Sequence, residues 1–285
     1  ITNPPYGVSW SSDREFVDNE SENPNGRFSV GTPRTSDGQL LFLQHMISKM
    51  EVRGSRIGVV FNGSPLFTGD AGGGESEIRK WIIENDWLEC IVSLPDRMFF
   101  NTGIMTYLWI LTNKKSEKRQ GQVQLIDGSE FYSSMRKNLG DKGKEIDPEN
   151  RDKILDLYLN FEEGERSQIH PSEFFGYTKV QVEQPIIENG SVVTDRRGNP
   201  KPDTSKRDHE RVSLEDDIDQ YYEKEVQPHL PDSWMDRSKD KVGYQINFNK
   251  YFYQFKPLRP LEDITQDLLK LDEEMEGLMK ETLQG

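Results

Sequence analysis

Leu88-Glu89-Cys90-Ile91-Val92-Ser93-Leu94 is followed by Pro95 and, a short connection later, by Ile104-Met105-Thr106-Tyr107-Leu108-Trp109-Ile110-Leu111-Thr112. Both runs have the apolar, β-branched and aromatic content of buried strands, and Pro95 ends the first because it cannot donate to a ladder. The connection, with Phe99-Phe100-Asn101-Thr102-Gly103 in it, has no room for a crossover helix. A right-handed parallel unit is therefore excluded, and the two strands are predicted to be antiparallel neighbours.

Upstream, Ile57-Gly58-Val59-Val60-Phe61 predicts a buried strand over 56–61, closed by the turn Asn62-Gly63-Ser64-Pro65. Ile78, Trp81 and Ile82 give the inner stripe of a helix over about 75–85. Between them Gly69, Gly72, Gly73 and Gly74 suggest a mobile surface loop; no Lys-Ser/Thr pair follows at the spacing of a phosphate-binding loop. Ser36 and Gln39 form a capping box for a helix over about 37–53. Residues 8–31 have no steady period and read as a long loop, either a cover for a bound group or simply solvated.

The chain opens on Ile1-Thr2-Asn3-Pro4-Pro5-Tyr6-Gly7. An amide oxygen and a prolyl carbonyl can both accept from an exocyclic amine while a Tyr ring stacks on the heterocycle that carries it. The object held is then a nucleobase, reached by flipping it out of the duplex. As an isolated signal Asn-Pro-Pro is also an ordinary turn. The start on Ile1 rather than Met, with a strand as the only short route into Asn3, gives the expectation that an earlier part of a longer chain is missing.

The chain has 285 residues, 33% of them hydrophobic, and a mean hydropathy of -0.81. That is low for a wholly compact enzyme, so long polar segments are expected outside the core. No apolar run approaches a membrane span and no signal peptide opens the chain. Cys90 is the one cysteine and there are four histidines, which excludes an internal disulfide and offers no zinc cluster. A buried inert thiol and a reduced, cytoplasmic setting are expected. With 36 Lys and Arg against 50 Asp and Glu, the formal charge is -14. Stand-alone wrapping of DNA is disfavoured, and a partner would have to supply most of the positive surface.

Asn3-Pro4-Pro5-Tyr6 resembles the catalytic motif of amino-group DNA methyltransferases in the adenine-specific form. Leu94-Pro95, Asn101-Thr102-Gly103-Ile104, Trp109-Ile110-Leu111-Thr112-Asn113, Lys241-Val242-Gly243-Tyr244-Gln245-Ile246 and Asn249-Lys250-Tyr251-Phe252-Tyr253 extend the likeness to the modification (M) subunit of type I restriction-modification systems. The resemblance implies an α/β fold, a partial Rossmann-like S-adenosylmethionine-dependent methyltransferase sheet with one antiparallel strand, plus a mixed or helical C-terminal extension. The strand ending at Thr2 would be the fourth, 56–61 the fifth, 88–94 the sixth and 104–112 the inserted seventh. Expected boundaries are 1–128 for the C-terminal half of the catalytic domain, 129–256 for a family-specific extension with polar insertions, and 257–285 for an amphipathic assembly helix.

The same resemblance implies methyl transfer to N6 of a flipped adenine. Asn3 and the Pro4 carbonyl would receive the amine hydrogens, Pro5 would set the backbone, and Tyr6 would stack on the base. Phe99, Phe100 and Thr102 are candidates for the pocket wall. S-adenosylmethionine would touch this chain at Asn3 only marginally, its main site lying outside these residues. DNA, a specificity (S) subunit, a second M subunit and a restriction or translocase subunit are the implied partners. The alternatives are a non-catalytic module that docks a specificity subunit, and a protein glutamine methyltransferase, which uses a similar pocket.

Several remaining stretches carry their own expectations. Lys114, Lys115, Lys118 and Arg119 read as a solvated basic turn or a phosphate contact. Residues 123–126 suggest an edge strand, 130–150 a surface excursion, and Ile154 to Phe161 a helix packed on the catalytic body. His170 reads as a turn residue, 177–182 as an exposed hairpin strand, and 195–211 as a mobile linker. Phe248, Tyr251, Phe252, Tyr253 and Phe255 suggest an extension core or a subunit contact. Leu261, Ile264, Leu268, Leu271, Met275 and Leu278 recur at steps of three and four on an acidic helix that should pack on another helix, either of this same chain or, as the resemblance implies, of a partner subunit.

Overall fold

The structure, a computed structural model, describes residues 1–100, 102–188, 190–253 and 260–284. Two compact units divide the chain, Ile1–Phe248 and Asn249–Gly285. In chain order the elements are α1 (Arg14–Glu22), α2 (Gln39–Ile47), β1 (Arg56–Asn62), α3 (Ser64–Phe67), α4 (Gly74–Glu84), β2 (Leu88–Leu94), β3 (Thr106–Thr112), β4 (Gln122–Asp127), β5 (Ser133–Leu139), β6 (Lys142–Glu145), α5 (Pro148–Asn160), β7 (Ser167–Pro171), β8 (Gly176–Glu183), β9 (Ile187–Glu188), β10 (Ser191–Val192), β11 (Asp208–Ser213), α6 (Ile218–Tyr221), β12 (Trp234–Tyr244), α7 (Phe248–Tyr251) and α8 (Leu261–Gln284).

The main sheet has the order β1-β3-β2-β4-β7. β3 runs antiparallel to both β1 and β2, with Val59 opposite Trp109 and Trp109 opposite Ile91. The short connection therefore inserts β3 between two strands that are parallel to each other. On the outer side of β1, Thr2 donates to the Gly58 carbonyl at 2.9 Å and accepts from Val60 N–H at 3.1 Å, a parallel bridge. Asn3 thus leaves the sheet at the same edge as Asn62. All seven residues of β2 are buried, and Phe61 meets Trp109 edge-on at 5.4 Å. Burial pushes the Cys90 thiol well up, which keeps it an unreactive core group.

Several stretches depart from their sequence expectations. The 8–31 segment holds α1, short enough that Val17 is its one buried residue, and Trp10, Val17, Phe28 and Leu41 form a small core of their own. α2 is shorter than 37–53 and carries no side-chain cap, because the Gln39 amide is held by Asp37 instead. β4 is no edge strand, since β7 covers it, and His170 lies in that β7, stacked on Phe174 at 4.0 Å. The 130–150 excursion contains the β5–β6 hairpin. α5 does lie on the body, with Ile154, Leu157 and Tyr158 against Cys90, Val92, Leu94 and Ile126.

The basic run 114–119 is half interior. Lys115 is buried against Asp86 at 2.5 Å, and Arg119 is buried, donating to Gln124 at 3.1 Å and facing Glu89 at 3.8 Å. Buried cations need partners of this kind, so neither is available to phosphate. β8 is the mostly buried centre of a second sheet, β11-β8-β12, rather than an exposed hairpin strand. Residues 195–211 are ordered: the Asp195 carboxylate accepts from Arg197 and Asn199 N–H to close a turn, and β11 follows.

The glycine-rich loop is likewise anchored. A Cβ on Gly74 would stand 1.8 Å from the Thr32 carbonyl oxygen, and one on Gly243 would meet Ala71 at 2.8 Å, so these glycines permit close packing. Asp70 accepts from the Tyr177 hydroxyl at 3.1 Å and pairs with Lys179 and Arg211. Burial alone would raise the Asp70 carboxyl, but Lys179, the Ala71 N–H and the Tyr177 hydroxyl outweigh it and hold it at about 2. A depressed carboxyl contributes fully above its unfolded value of about 4 and loses that contribution as pH falls through about 2. Asp70→Asn should reproduce the acid state at neutral pH, seen as faster amide exchange at Gly72 to Gly74. Unchanged exchange would refute this anchoring.

In the second unit α8 is present as the spacing predicts. Leu261, Ile264, Leu268, Leu269, Leu271 and Met275 are exposed on it; the Leu278 side chain and Phe255 lie outside the described residues. Phe248 is buried with Tyr107 at 5.2 Å, which makes it core, while Tyr253 is exposed. Among the described residues no helix is long and apolar enough to cross a membrane.

Candidate active site

The edge of the sheet where Asn3 and Asn62 emerge opens into a cleft of about 600 Å³. Its walls are Asn3, Pro4, Pro5, Tyr6 and Gly7 from one side, Asn62 from the end of β1, and Phe99, Phe100, Thr102 and Ile104 from the β2–β3 connection. Every residue singled out from the sequence for this pocket lies in one wall or another; Asn101 lies outside the described residues. The topology explains the meeting. Strands flanking the inserted β3 end on one edge, and the hairpin connection folds over that edge with Phe99 and Thr102 bridged across it.

Pro4 is buried and Asn3 and Pro5 are exposed. The Tyr6 hydroxyl donates to Asn3 Oδ1 at 2.7 Å. Burial pushes that hydroxyl up to about 12, so it stays protonated and able to donate at neutral pH. An amide oxygen has two lone pairs, and the second is left for a ligand. Phe99 reaches both cleft and core, packing against the Cys90, Val92, Leu94 and Ile126 cluster, whereas Phe100 is exposed beneath Lys142.

Asn62 is the wall residue that sequence reasoning does not supply. It stands in an Asn-Gly-Ser-Pro turn, where an Asn needs no further reason. The available signal is its position at the end of an apolar strand beside the one that carries the motif.

The chemistry of the wall addresses a flat, amine-bearing ring: aromatic faces, an amide oxygen and a prolyl carbonyl. S-adenosylmethionine also carries an ammonium and a ribose diol, which call for carboxylate acceptors. Among the described residues the cleft wall holds no carboxylate, so it does not fit the methyl donor, and no step below is drawn through it.

A mixed sheet with its one inserted antiparallel strand, and an Asn-Pro-Pro-Tyr segment at the edge where parallel strands end, defines the class of amino-group methyltransferases. The chain belongs to the N-6 DNA methylase family, whose model matches residues 1–202. Similar curated proteins include the methylase subunit of the type I restriction enzyme MjaIX of Methanocaldococcus jannaschii, 30% identical over 201 residues, covering 69% of this chain and 34% of that protein. The methylase subunit of the type I restriction enzyme HindI of Haemophilus influenzae is 38% identical over 120 residues, 42% of this chain and 26% of that one. Among solved structures, the methyltransferase subunit of a type I restriction-modification system from Streptococcus thermophilus matches with a TM-score of 0.50 and 25% identity, over 60% of this chain and 33% of that chain. This chain therefore spans about a quarter to a third of the length of these relatives.

Proposed function

We propose that this chain carries the base-holding side of a site-specific DNA adenine N6-methyltransferase subunit of a type I restriction-modification system. The observation that supports it is the cleft in which Asn3 to Tyr6 face Phe99, Phe100 and Thr102. A flipped adenine would give its amine hydrogens to Asn3 Oδ1 and the Pro4 carbonyl and stack on Tyr6. Both acceptors hold the amine nitrogen with its lone pair in one direction; family membership implies S-adenosylmethionine as the methyl donor. Positioning of this kind supplies much of the rate.

The test uses a methyltransferase subunit of the relatives' length that carries these 285 residues, called here the extended subunit, together with its specificity partner. It should transfer labelled methyl groups to N6 of adenine in duplex DNA and not to a release-factor glutamine; the reverse result would overturn the reading. The 285-residue chain alone should show no micromolar binding of S-adenosylmethionine by calorimetry, since its cleft lacks the carboxylates that donor needs. Micromolar affinity would place a donor site on these residues after all.

The partner set is the one the family resemblance implies, and the charge and α8 are in keeping with it. A chain of charge -14 approaches DNA with help, and we assign that help to the specificity subunit, alongside a second M subunit and, in the complete system, a restriction or translocase subunit. Leu268, Leu271 and Met275 form an exposed apolar stripe on an acidic helix, suited to a partner helix with flanking Lys or Arg. Replacing Leu268 and Leu271 by Asp should abolish association in light scattering with the Ile1–Phe248 unit still folded. Undiminished association would exclude α8 as the contact. If association persists in the wild type while methyl transfer is absent, the chain is an assembly module instead.

A further inference from the structure

We infer that Asn62 is a base-reading residue, its side-chain amide N–H donating to a ring nitrogen beside the amine of the target base. The inference rests on the function proposed above and adds a contact to it. Its basis is a polar chain that runs from the interior to the cleft. Asp37 and Gln39 are both buried. Gln39 Nε2 donates to both Asp37 carboxylate oxygens at 2.9 Å and to Asn62 Oδ1 at 3.1 Å, and Asn62 N–H donates to Gln39 Oε1 at 3.3 Å.

Backbone N–H groups fix the direction of every amide in this chain. Asn62 N–H can only donate, so the Gln39 atom it meets is the oxygen, and the Gln39 nitrogen must face Asp37. Ser64 N–H, also a fixed donor, meets the Asn62 side chain at 3.0 Å, so that atom is Oδ1. Asn62 Nδ2 is therefore left on the remaining side of a half-buried side chain that lines the cleft. Among the described residues it has no partner. A buried carboxylate thus holds, through one glutamine, a two-hydrogen donor in a fixed direction at the base pocket.

Asn3 Oδ1 and the Pro4 carbonyl accept; Asn62 Nδ2 donates. Adenine offers the complementary edge, an amine flanked by the acceptors N1 and N7. Guanine in the same pose would set O6 against the acceptors, so the pair of opposed groups selects as well as holds. Leaving a site donor unmatched is the kind of mismatch that rejects a wrong ligand most strongly.

The experiment measures kcat/KM of the extended subunit with its partner on duplexes bearing adenine, 1-deazaadenine or 7-deazaadenine at the target. Wild type, Asn62→Asp and Asn62→Ala are compared. For the wild type one analogue should be about tenfold poorer than adenine, the equivalent of one hydrogen bond, and which analogue it is names the nitrogen. Asn62→Asp keeps the oxygen that Ser64 and Gln39 need while removing the donor. It should be at least about tenfold slower on adenine and should no longer distinguish that analogue. A purely structural role would slow all three substrates alike and leave the analogue ratio intact, and that result overturns the inference. So does a wild type indifferent to both analogues, a measurement that needs no variant to fold. A wild type that methylates no adenine at all would instead overturn the proposed function.

Discussion

Methyl transfer by the extended subunit is expected to fall at least a hundredfold when Asn3 is replaced by alanine, with S-adenosylmethionine affinity by calorimetry unchanged. Asn3 Oδ1 already accepts from the Tyr6 hydroxyl, so it is aimed before any base arrives and pays little reorganisation when the amine docks. As N6 attacks, positive charge develops on it, and an acceptor fixed at its hydrogens gains strength in the transition state. Losing one preorganised group of this kind is worth about 10²–10³ in rate. Tyr6→Ala should act differently, weakening capture of the flipped base by roughly 1–3 kcal/mol of stacking. Tyr6→Phe keeps the ring and removes the hydroxyl that aims Asn3, so its loss should appear in kcat rather than in DNA affinity. Full activity of Asn3→Ala would show that the cleft is not where the amine sits.

How much of this was legible in the sequence depends on which force writes each element. β2 and β3 are contiguous apolar runs, and the brevity of their connection makes them antiparallel neighbours; the place of β3 between β1 and β2 comes with the family resemblance, and β7, which covers β4, is not anticipated by either. The motif at Asn3 to Tyr6 and the connection at Phe99 to Thr102 follow from the same topology, because strands ending on one edge bring their loops together. Elements held by polar groups are the opaque ones. Residues 195–203 lack apolar anchors, yet the main chain orders them, with Asp195 N–H donating to the Asn199 carbonyl and Lys201 N–H to that of Val193. Lys115 and Arg119 have the composition of a solvated turn, and the carboxylates that bury them, Asp86 and Glu89, are about 30 residues away. Local pattern carries no trace of such long-range pairs. The Asp37–Gln39–Asn62 relay is hidden for the same reason, with Gln39 reading as a capping residue and Asn62 as a turn.

Arg79→Met is expected to lower the unfolding free energy of the Ile1–Phe248 unit by about 3–5 kcal/mol, the cost of leaving several buried backbone carbonyls without a donor at about 1–3 kcal/mol each. On an amphipathic helix an Arg beside Ile78 reads as a surface residue, but Arg79 is fully buried. Among the described residues no carboxylate receives it. Its guanidinium donates to four backbone carbonyls: Tyr244 at 2.7 Å, Pro65 at 3.0 Å, Thr68 at 2.7 Å and Gly69 at 3.2 Å. Burial brings its pKa down to about 10, which still leaves it cationic at neutral pH. One side chain of α4 thereby ties the α3 turn that follows Asn62 to the end of β12. Methionine roughly fills the volume but donates nothing, and each buried carbonyl left without a donor costs about 1–3 kcal/mol. Water can reach some of the four, which keeps the total below their sum. Arg79→Lys should recover little, since an ammonium on a flexible stem cannot match the planar fork that reaches all four oxygens. Urea unfolding followed by tryptophan fluorescence measures the loss, and a change below about 1 kcal/mol, the scale of an ordinary surface substitution or less, would show that the carbonyls find other donors and that Arg79 does not tie the α3 turn to the end of β12.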